Sequence, residues 1–141
     1  PYVVFPAEYA APARVAQQLA AKALVAGQAT RPLVALFDGA WAEARKMFRK
    51  SPYLDRFPDL SLEPNQVSNY QLRRSRRTDH FCTSEVAALC LRLADETRAA
   101  TVLNAYLEVY SHHYSRAKQQ LPAEPRGLAY VRWHESLQLA F

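Results

Sequence analysis

The chain has 141 residues, half of them hydrophobic and 22% charged, with 18 Lys and Arg against 13 Asp and Glu. This balance fits one soluble globular domain with a sizeable core, residues 1–141, and excludes a disordered chain; no apolar run approaches the roughly 20 residues that span a bilayer. The net charge of +5 suits a polyanionic partner, of which nucleic acid is the commonest, and equally an uninvolved basic surface.

In chain order, the opening Pro1-Tyr2-Val3-Val4-Phe5 has neither an initiator Met nor a signal-peptide layout, which suggests that a natural N-terminal segment precedes it. Tyr2 to Phe5 reads as a short strand stopped by Pro6. Pro12 then opens a predicted helix, with Val15, Leu19, Ala23 and Ala26 at helical spacing and Gly27 as its stop. The apolar run from Pro32 to Phe37 predicts a strand buried on both faces, as in a parallel sheet, ending at Asp38-Gly39. A second helix starts near Trp41, with Trp41, Ala44 and Phe48 as its apolar stripe, and stops at Ser51-Pro52. Residues 52–69 are irregular, with a short strand near Leu60 to Leu62.

A third helix begins near Thr83, which reads as its N-cap, and carries Val86, Leu89, Cys90, Leu93 and Ala94 on one face. A fourth spans Ala99 to Gln120, with Val102, Tyr106, Val109 or Tyr110, and Tyr114 on one face. The tail from Arg126 has mixed signals. Alternation of strand and helix in the first half predicts an α/β fold with a mainly parallel sheet.

Cys82 and Cys90, on one helix, would lie about 12 Å apart along its axis, beyond the roughly 7 Å Cα limit of a disulfide. A reduced, cytoplasmic protein follows, and no ligand set has zinc-site spacing. His80, His112, His113 and His134 form no metal or catalytic spacing and read as surface or half-buried groups.

The chemistry concentrates in a few places. Asp38 follows a strand and precedes a helix, and in open α/β sheets ligands bind beyond the carboxyl ends of strands. It reads as a general base or ligand-orienting group, or alternatively as a turn and helix cap. Gly39 permits a tight turn and close approach of a ligand. Trp41 reads as a core anchor, a pocket wall, or both. Arg45, Lys46, Arg49 and Lys50 form two i, i+4 pairs on adjacent stripes, a basic face suited to phosphate, or alternatively a solvated face favoured by the negative helix C-terminus. Arg73, Arg74, Arg76 and Arg77 with Tyr70 combine charge with a stacking surface, as RNA binding requires, or form a solvated loop. Thr83 and Glu85 cap a helix whose N-terminus also suits an anionic group.

Asp38-Gly39-Ala40-Trp41, then Ala44-Arg45-Lys46-Met47 and Ser51-Pro52, resembles the signature of the DTW-domain family, named for an Asp-x-Thr-Trp element. Ser68-x-Tyr70-x-Leu72-Arg73 and Cys82-Thr83-Ser84-Glu85-Val86-Ala87 resemble its second block, and Phe5-Pro6-x-Glu8 fits the strand and turn before them. The ordered match runs from about residue 3 to residue 118. Ala40 stands where Thr is usual, Cys82 where Ser is, and Val86 where Ala is. The family often carries an N-terminal cysteine-rich, zinc-binding segment whose cysteines this sequence does not contain.

The resemblance implies a SPOUT-like fold with a C-terminal knot and an S-adenosylmethionine site bordered by Asp38, Gly39, Trp41, Thr83 and Glu85. It implies transfer of the aminocarboxypropyl group to a uridine of tRNA, with Asp38 as the catalytic residue. The rival readings are an RNA methyltransferase of the same fold and a non-catalytic RNA-binding domain.

Overall fold

The computed structural model describes residues 1–16, 32–62, 68, 72, 81–124 and 127–138. The chain divides into two compact units, Pro1–Asn65 with Leu93–Asp95, and Gln66–Arg92 with Glu96–Phe141.

The first unit is built on a four-stranded parallel sheet of β1 (Tyr2–Val4), β2 (Val15–Ala16), β3 (Val34–Ala35) and β4 (Asp59–Leu60). The spatial order is β2-β4-β1-β3. Val3 is paired on both sides, with Ala35 and Asp59, and is fully buried. Parallel strands buried on both faces carry continuous apolar runs, and Tyr2 to Phe5 is one. Helix α1 (Trp41–Arg49) follows β3 and buries Ala44 while Trp41 and Phe48 are half-buried, as the predicted stripe requires.

Three expectations change. The helix predicted from Pro12 is a short 3-10 turn, Pro12–Arg14, followed directly by β2; the remainder of that prediction, 17–31, lies outside the described residues. Val15 and Ala16 pair with Asp59 and Leu60, and this non-local ladder overrides the helical spacing of the sequence. Among the described residues the run ending at Phe37 pairs only with β1 and stands at the end of the strand order; it is half-buried and Leu33 is 67% exposed. The strand expected at Leu60 to Leu62 is centred earlier, at Asp59–Leu60.

A buried ion pair ties this unit together. Asp59 is completely buried, and Arg14 Nη2 lies 2.9 Å from its Oδ2. The same nitrogen donates to the carbonyl oxygens of Leu54 and Phe57, and Arg14 Nη1 donates to Asp55 at 2.7 Å. With the guanidinium N–H groups aimed at those acceptors, neither Asp59 oxygen receives a hydrogen bond among the described residues. Burial pushes the Asp59 carboxyl above its ordinary range; the Arg14 charge opposes that shift and Asp55 adds to it.

The second unit holds helices α2 (Thr83–Leu93, its last residue assigned to the first unit), α3 (Thr97–Lys118) and α4 (Leu128–Gln138). Helix α4 was not legible in the mixed tail; it packs along α3, where Trp133 meets Tyr106 and the Tyr130 hydroxyl meets His113 Nε2. The buried residues of α3 are Ala100, Ala105 and Val109. Of the apolar face read from the sequence, with Val109 or Tyr110 as alternatives, Val109 is buried, whereas Tyr106, Tyr110 and Tyr114 are 52%, 48% and 46% exposed. Small Ala side chains allow close helix packing, and the larger phenols are left toward water, where their hydroxyls are solvated. Gln120 closes α3 in the left-handed conformation (φ 56°), with Leu121 N–H donating to the Arg116 carbonyl, a Schellman-type end without glycine.

No described helix is long and apolar enough to cross a membrane.

Candidate active site

The candidate site of the first unit lies beyond the carboxyl ends of β1 and β3. The chain leaves β1 at Phe5, which is buried and gathers four other aromatic rings around it. Phe5 lies parallel to Trp41 at 5.5 Å and to Phe48 at 4.4 Å, and meets Tyr9 and Phe37 edge-on at 5.6 Å each. Tyr9 also meets Trp41 edge-on at 5.7 Å. Such pairs contribute about 0.5–1.5 kcal/mol each beyond area burial, enough to fix the start of α1 against the strand ends. Trp41 is therefore an anchor, and because it is only half-buried part of its surface is left at the site.

Asp38 sits three residues beyond β3, exposed, in the turn that leads into α1. It is not the cap of that helix. The N-cap is Ala40, whose N–H donates to Glu43 Oε2 at 3.0 Å. Alanine offers no side-chain acceptor in return, so only one half of a capping box forms. Gly39 packs on the same turn: a Cβ there would lie 3.4 Å from Glu43 Oε2 and 3.5 Å from Met47 Cε. The strand end and the helix start thus bring Asp38, Gly39 and Trp41 together. Arg45, Lys46, Arg49 and Lys50 continue from them along α1, all exposed and with no ion pair to a described residue.

Thr83 and Glu85 lie in the second unit. Cys82, not Thr83, occupies the N-cap of α2: its carbonyl accepts the Val86 N–H at 3.0 Å and its own N–H donates to Glu85 Oε2 at 2.9 Å. Thr83 is the first helical residue. The Ser68 hydroxyl donates to the same Glu85 oxygen at 2.7 Å, so Glu85, 8% exposed, joins the segment before α2 to its first turn. Burial, with the neighbouring Glu85 charge adding to it, pushes the Cys82 thiol up; burial alone raises Cys90 to about 11. Both are free cysteines, held as thiols near neutral pH. Glu85 also lines a cavity of about 890 Å³ among α2, α3 and α4, with Arg92, Asn104, Glu108, Arg116 and Arg132 among its polar walls.

Tyr70, Arg73, Arg74, Arg76 and Arg77 lie outside the described residues. Among the described residues no three His, Cys, Asp or Glu side chains cluster so as to hold a metal ion.

The model of the DTW domain matches residues 1–115, most of the chain and all of the elements just described up to the last turns of α3. The chain belongs to the DTW-domain family. That membership is consistent with a role in tRNA modification. No solved structure matches the chain. The sequence did not signal the Arg14–Asp59 pair, the Phe5-centred cluster or the Glu85–Ser68 bond, because each joins residues distant along the chain. Only the Glu43 and Glu85 spacing, three residues after each N-cap, was available locally.

Proposed function

We propose that this DTW-domain protein transfers the 3-amino-3-carboxypropyl group of S-adenosylmethionine to a uridine of tRNA, on a SPOUT-like fold with a knotted cofactor site. The observation that carries the reading is the joint placement of Asp38 and Trp41, which match the element that names the family, at the carboxyl end of a parallel strand. A carboxylate next to a partly exposed indole suits a sulfonium cation, by charge and by cation–π attraction, so the residues present fit this donor.

When bound, S-adenosylmethionine supplies an electrophilic γ-carbon and a neutral leaving group, methylthioadenosine, so that a C–N bond to the uridine ring forms as the C–S bond breaks. Asp38 accepts the ring N–H proton that would otherwise leave the nitrogen a poor nucleophile. Trp41, fixed by Phe5 and Tyr9, walls the pocket and holds the reactants in line, which is the main catalytic contribution expected of such a site. Arg45, Lys46, Arg49 and Lys50 hold tRNA phosphates, and Tyr70 with Arg73, Arg74, Arg76 and Arg77 extends that surface. Thr83 and Glu85 are assigned to the cofactor by the resemblance alone. The product is 3-(3-amino-3-carboxypropyl)uridine, and the reaction belongs to the cytoplasm, where tRNA is modified.

The test is mass spectrometry of tRNA nucleosides from cells with and without the gene. Loss of the aminocarboxypropyl nucleoside, restored by the gene, is expected; an unchanged nucleoside profile would overturn the reading. In parallel, S-adenosylmethionine should raise the Tm of the protein, because a ligand of the native state stabilises it by mass action.

A further inference from the structure

Tyr9 touches the ring of Trp41, although none of the motifs read from the sequence includes it. The chain leaves β1 through Phe5 and Pro6 and makes a 3-10 turn, Ala7–Tyr9, in which the Tyr9 N–H donates to the Pro6 carbonyl at 3.0 Å. The turn is also tied to the neighbouring strand. The Ala7 N–H donates to Ser61 Oγ at 3.1 Å, and Ser61, just past β4, is 7% exposed. Tyr9 is thus held at the carboxyl ends of two adjacent parallel strands, where ligands of such sheets bind.

Three rings close on one another there. The centroids of Phe5, Tyr9 and Trp41 are 5.6, 5.7 and 5.5 Å apart in pairs. Phe5 and Trp41 are parallel within 2°, and Tyr9 stands at 67° to one and 68° to the other. Phe5 is buried, whereas Tyr9 and Trp41 are each half-buried. The two outer rings cover Phe5 and touch each other, so their exposed parts form one continuous aromatic surface. Asp38, exposed, lies three residues before Trp41 in the turn that leads to it. The Tyr9 hydroxyl has no hydrogen-bond partner among the described residues, so the ring rather than the hydroxyl fixes this residue.

A second ring beside the indole changes what the surface selects. Aromatic rings attract an onium centre through their negative faces, and several rings together form the cages that bind such cations. A neutral thioether gains nothing from that field. We propose that Tyr9 is a further binding residue of the site, whose ring joins Trp41 in recognising the sulfonium of S-adenosylmethionine and sets a preference for it over neutral S-adenosylhomocysteine. The identity of the onium ligand rests on the reaction proposed above; the place of Tyr9 beside Trp41 does not. The same preference favours departure of methylthioadenosine, which loses the charge as the C–S bond breaks.

The test measures the affinities of S-adenosylmethionine and S-adenosylhomocysteine by calorimetry. It compares the parent chain, Tyr9→Phe, Tyr9→Leu and a chain with pentafluorophenylalanine in place of Tyr9, which keeps the shape of the ring and removes its negative face. Circular dichroism checks that each is folded, and the fluorinated chain reads the ring's field even where the Leu variant fails to fold. The parent should bind the sulfonium more tightly than the thioether. The ratio of the two affinities should fall about two- to thirtyfold in the Leu and fluorinated chains and keep its parental value in Tyr9→Phe. A purely structural Tyr9 would weaken both ligands together and leave the ratio unchanged, and that result overturns the proposal. So does an equal fall in Tyr9→Phe, which would assign the recognition to the hydroxyl. A parent that binds neither ligand overturns both this proposal and the cofactor assignment. A ratio that depends on Tyr9 in a protein that releases no methylthioadenosine with tRNA would support Tyr9 and overturn the reaction instead.

Discussion

The Ala40 N–H donates to Glu43 Oε2 at 3.0 Å, and the same arrangement recurs at the head of α2, where the Cys82 N–H donates to Glu85 Oε2 at 2.9 Å. In both helices the acid three residues in reaches back to the cap. In both, the cap lacks the hydroxyl that the family resemblance leads one to expect there. Two of the sequence's departures from the family pattern therefore fall on equivalent positions and remove the same half of a capping box.

Restoring that half at α1 should stabilise the protein. Ala40 has extended backbone angles (φ −62°, ψ 150°) that a threonine cap adopts without strain. Ala40→Thr should raise the unfolding free energy by about 1 kcal/mol, read as a higher urea midpoint at unchanged slope. An unchanged or lower midpoint would show that the Ala42 and Glu43 N–H groups at the helix start do not need the added acceptor.

The buried pair gives a prediction with a sign. Burial raises the folded-state pKa of Asp59 above its ordinary value of 3.8. The unfolded chain then releases this proton at lower pH than the folded chain does. The resulting stability is present below pH 3.8 and is lost progressively as pH rises through the elevated folded value. Asp59→Asn should gain stability relative to the parent as pH is raised across that window, in urea titrations at a series of pH values. Parallel profiles would show that Arg14 fully compensates the buried charge. Arg14→Ala should cost about 3–5 kcal/mol, since it leaves that carboxylate buried without a counter-charge.

The basic face of α1 should account for part of the salt dependence of tRNA binding. Replacing Arg45, Lys46, Arg49 and Lys50 with Ala should weaken binding and reduce the log–log salt slope by about 0.7–0.9 for each phosphate left without its cation. The fold should survive, because all four side chains are exposed. A slope equal to that of the parent would leave these residues as a solvated surface.

The sequence was legible where local rules govern. The Asp38-to-Trp41 turn, the α1 stripe of Trp41, Ala44 and Phe48, and the stop at Ser51-Pro52 follow from side-chain periodicity and proline geometry, and the structure places them so. The sequence was misleading where partners lie far along the chain. Val15 and Ala16 have helical spacing with later residues, yet their ladder with Asp59 and Leu60 makes them a strand. The Pro32-to-Phe37 run looks central by composition, but strand order decides which strand has one neighbour among the described residues. Tyr106, Tyr110 and Tyr114 count as apolar in a periodicity reading, whereas α3 buries Ala100, Ala105 and, of the residues that reading offered, Val109. At the site, position and residue type pointed to Asp38 and Trp41; the rings that fix Trp41, contributed by Phe5 and Tyr9, come from a different strand exit, and nothing local in the sequence links them to Trp41.

The most direct measurement of the central claim is the product analysis of a single-turnover reaction, with purified protein, S-adenosylmethionine and tRNA, for the parent and Asp38→Asn. The nitrogen released from its proton must attack the aminocarboxypropyl carbon, so the parent should yield methylthioadenosine and the modified uridine in equal amounts. Asp38→Asn keeps the size of the side chain and, since Ala40 caps α1, leaves the helix start intact. Its turnover should fall by roughly 10²- to 10⁴-fold, the scale of one general base, while its affinity for S-adenosylmethionine changes far less. Release of S-adenosylhomocysteine would contradict the account by showing methyl transfer, and near-parental turnover of a folded Asp38→Asn protein would remove Asp38 from the chemistry.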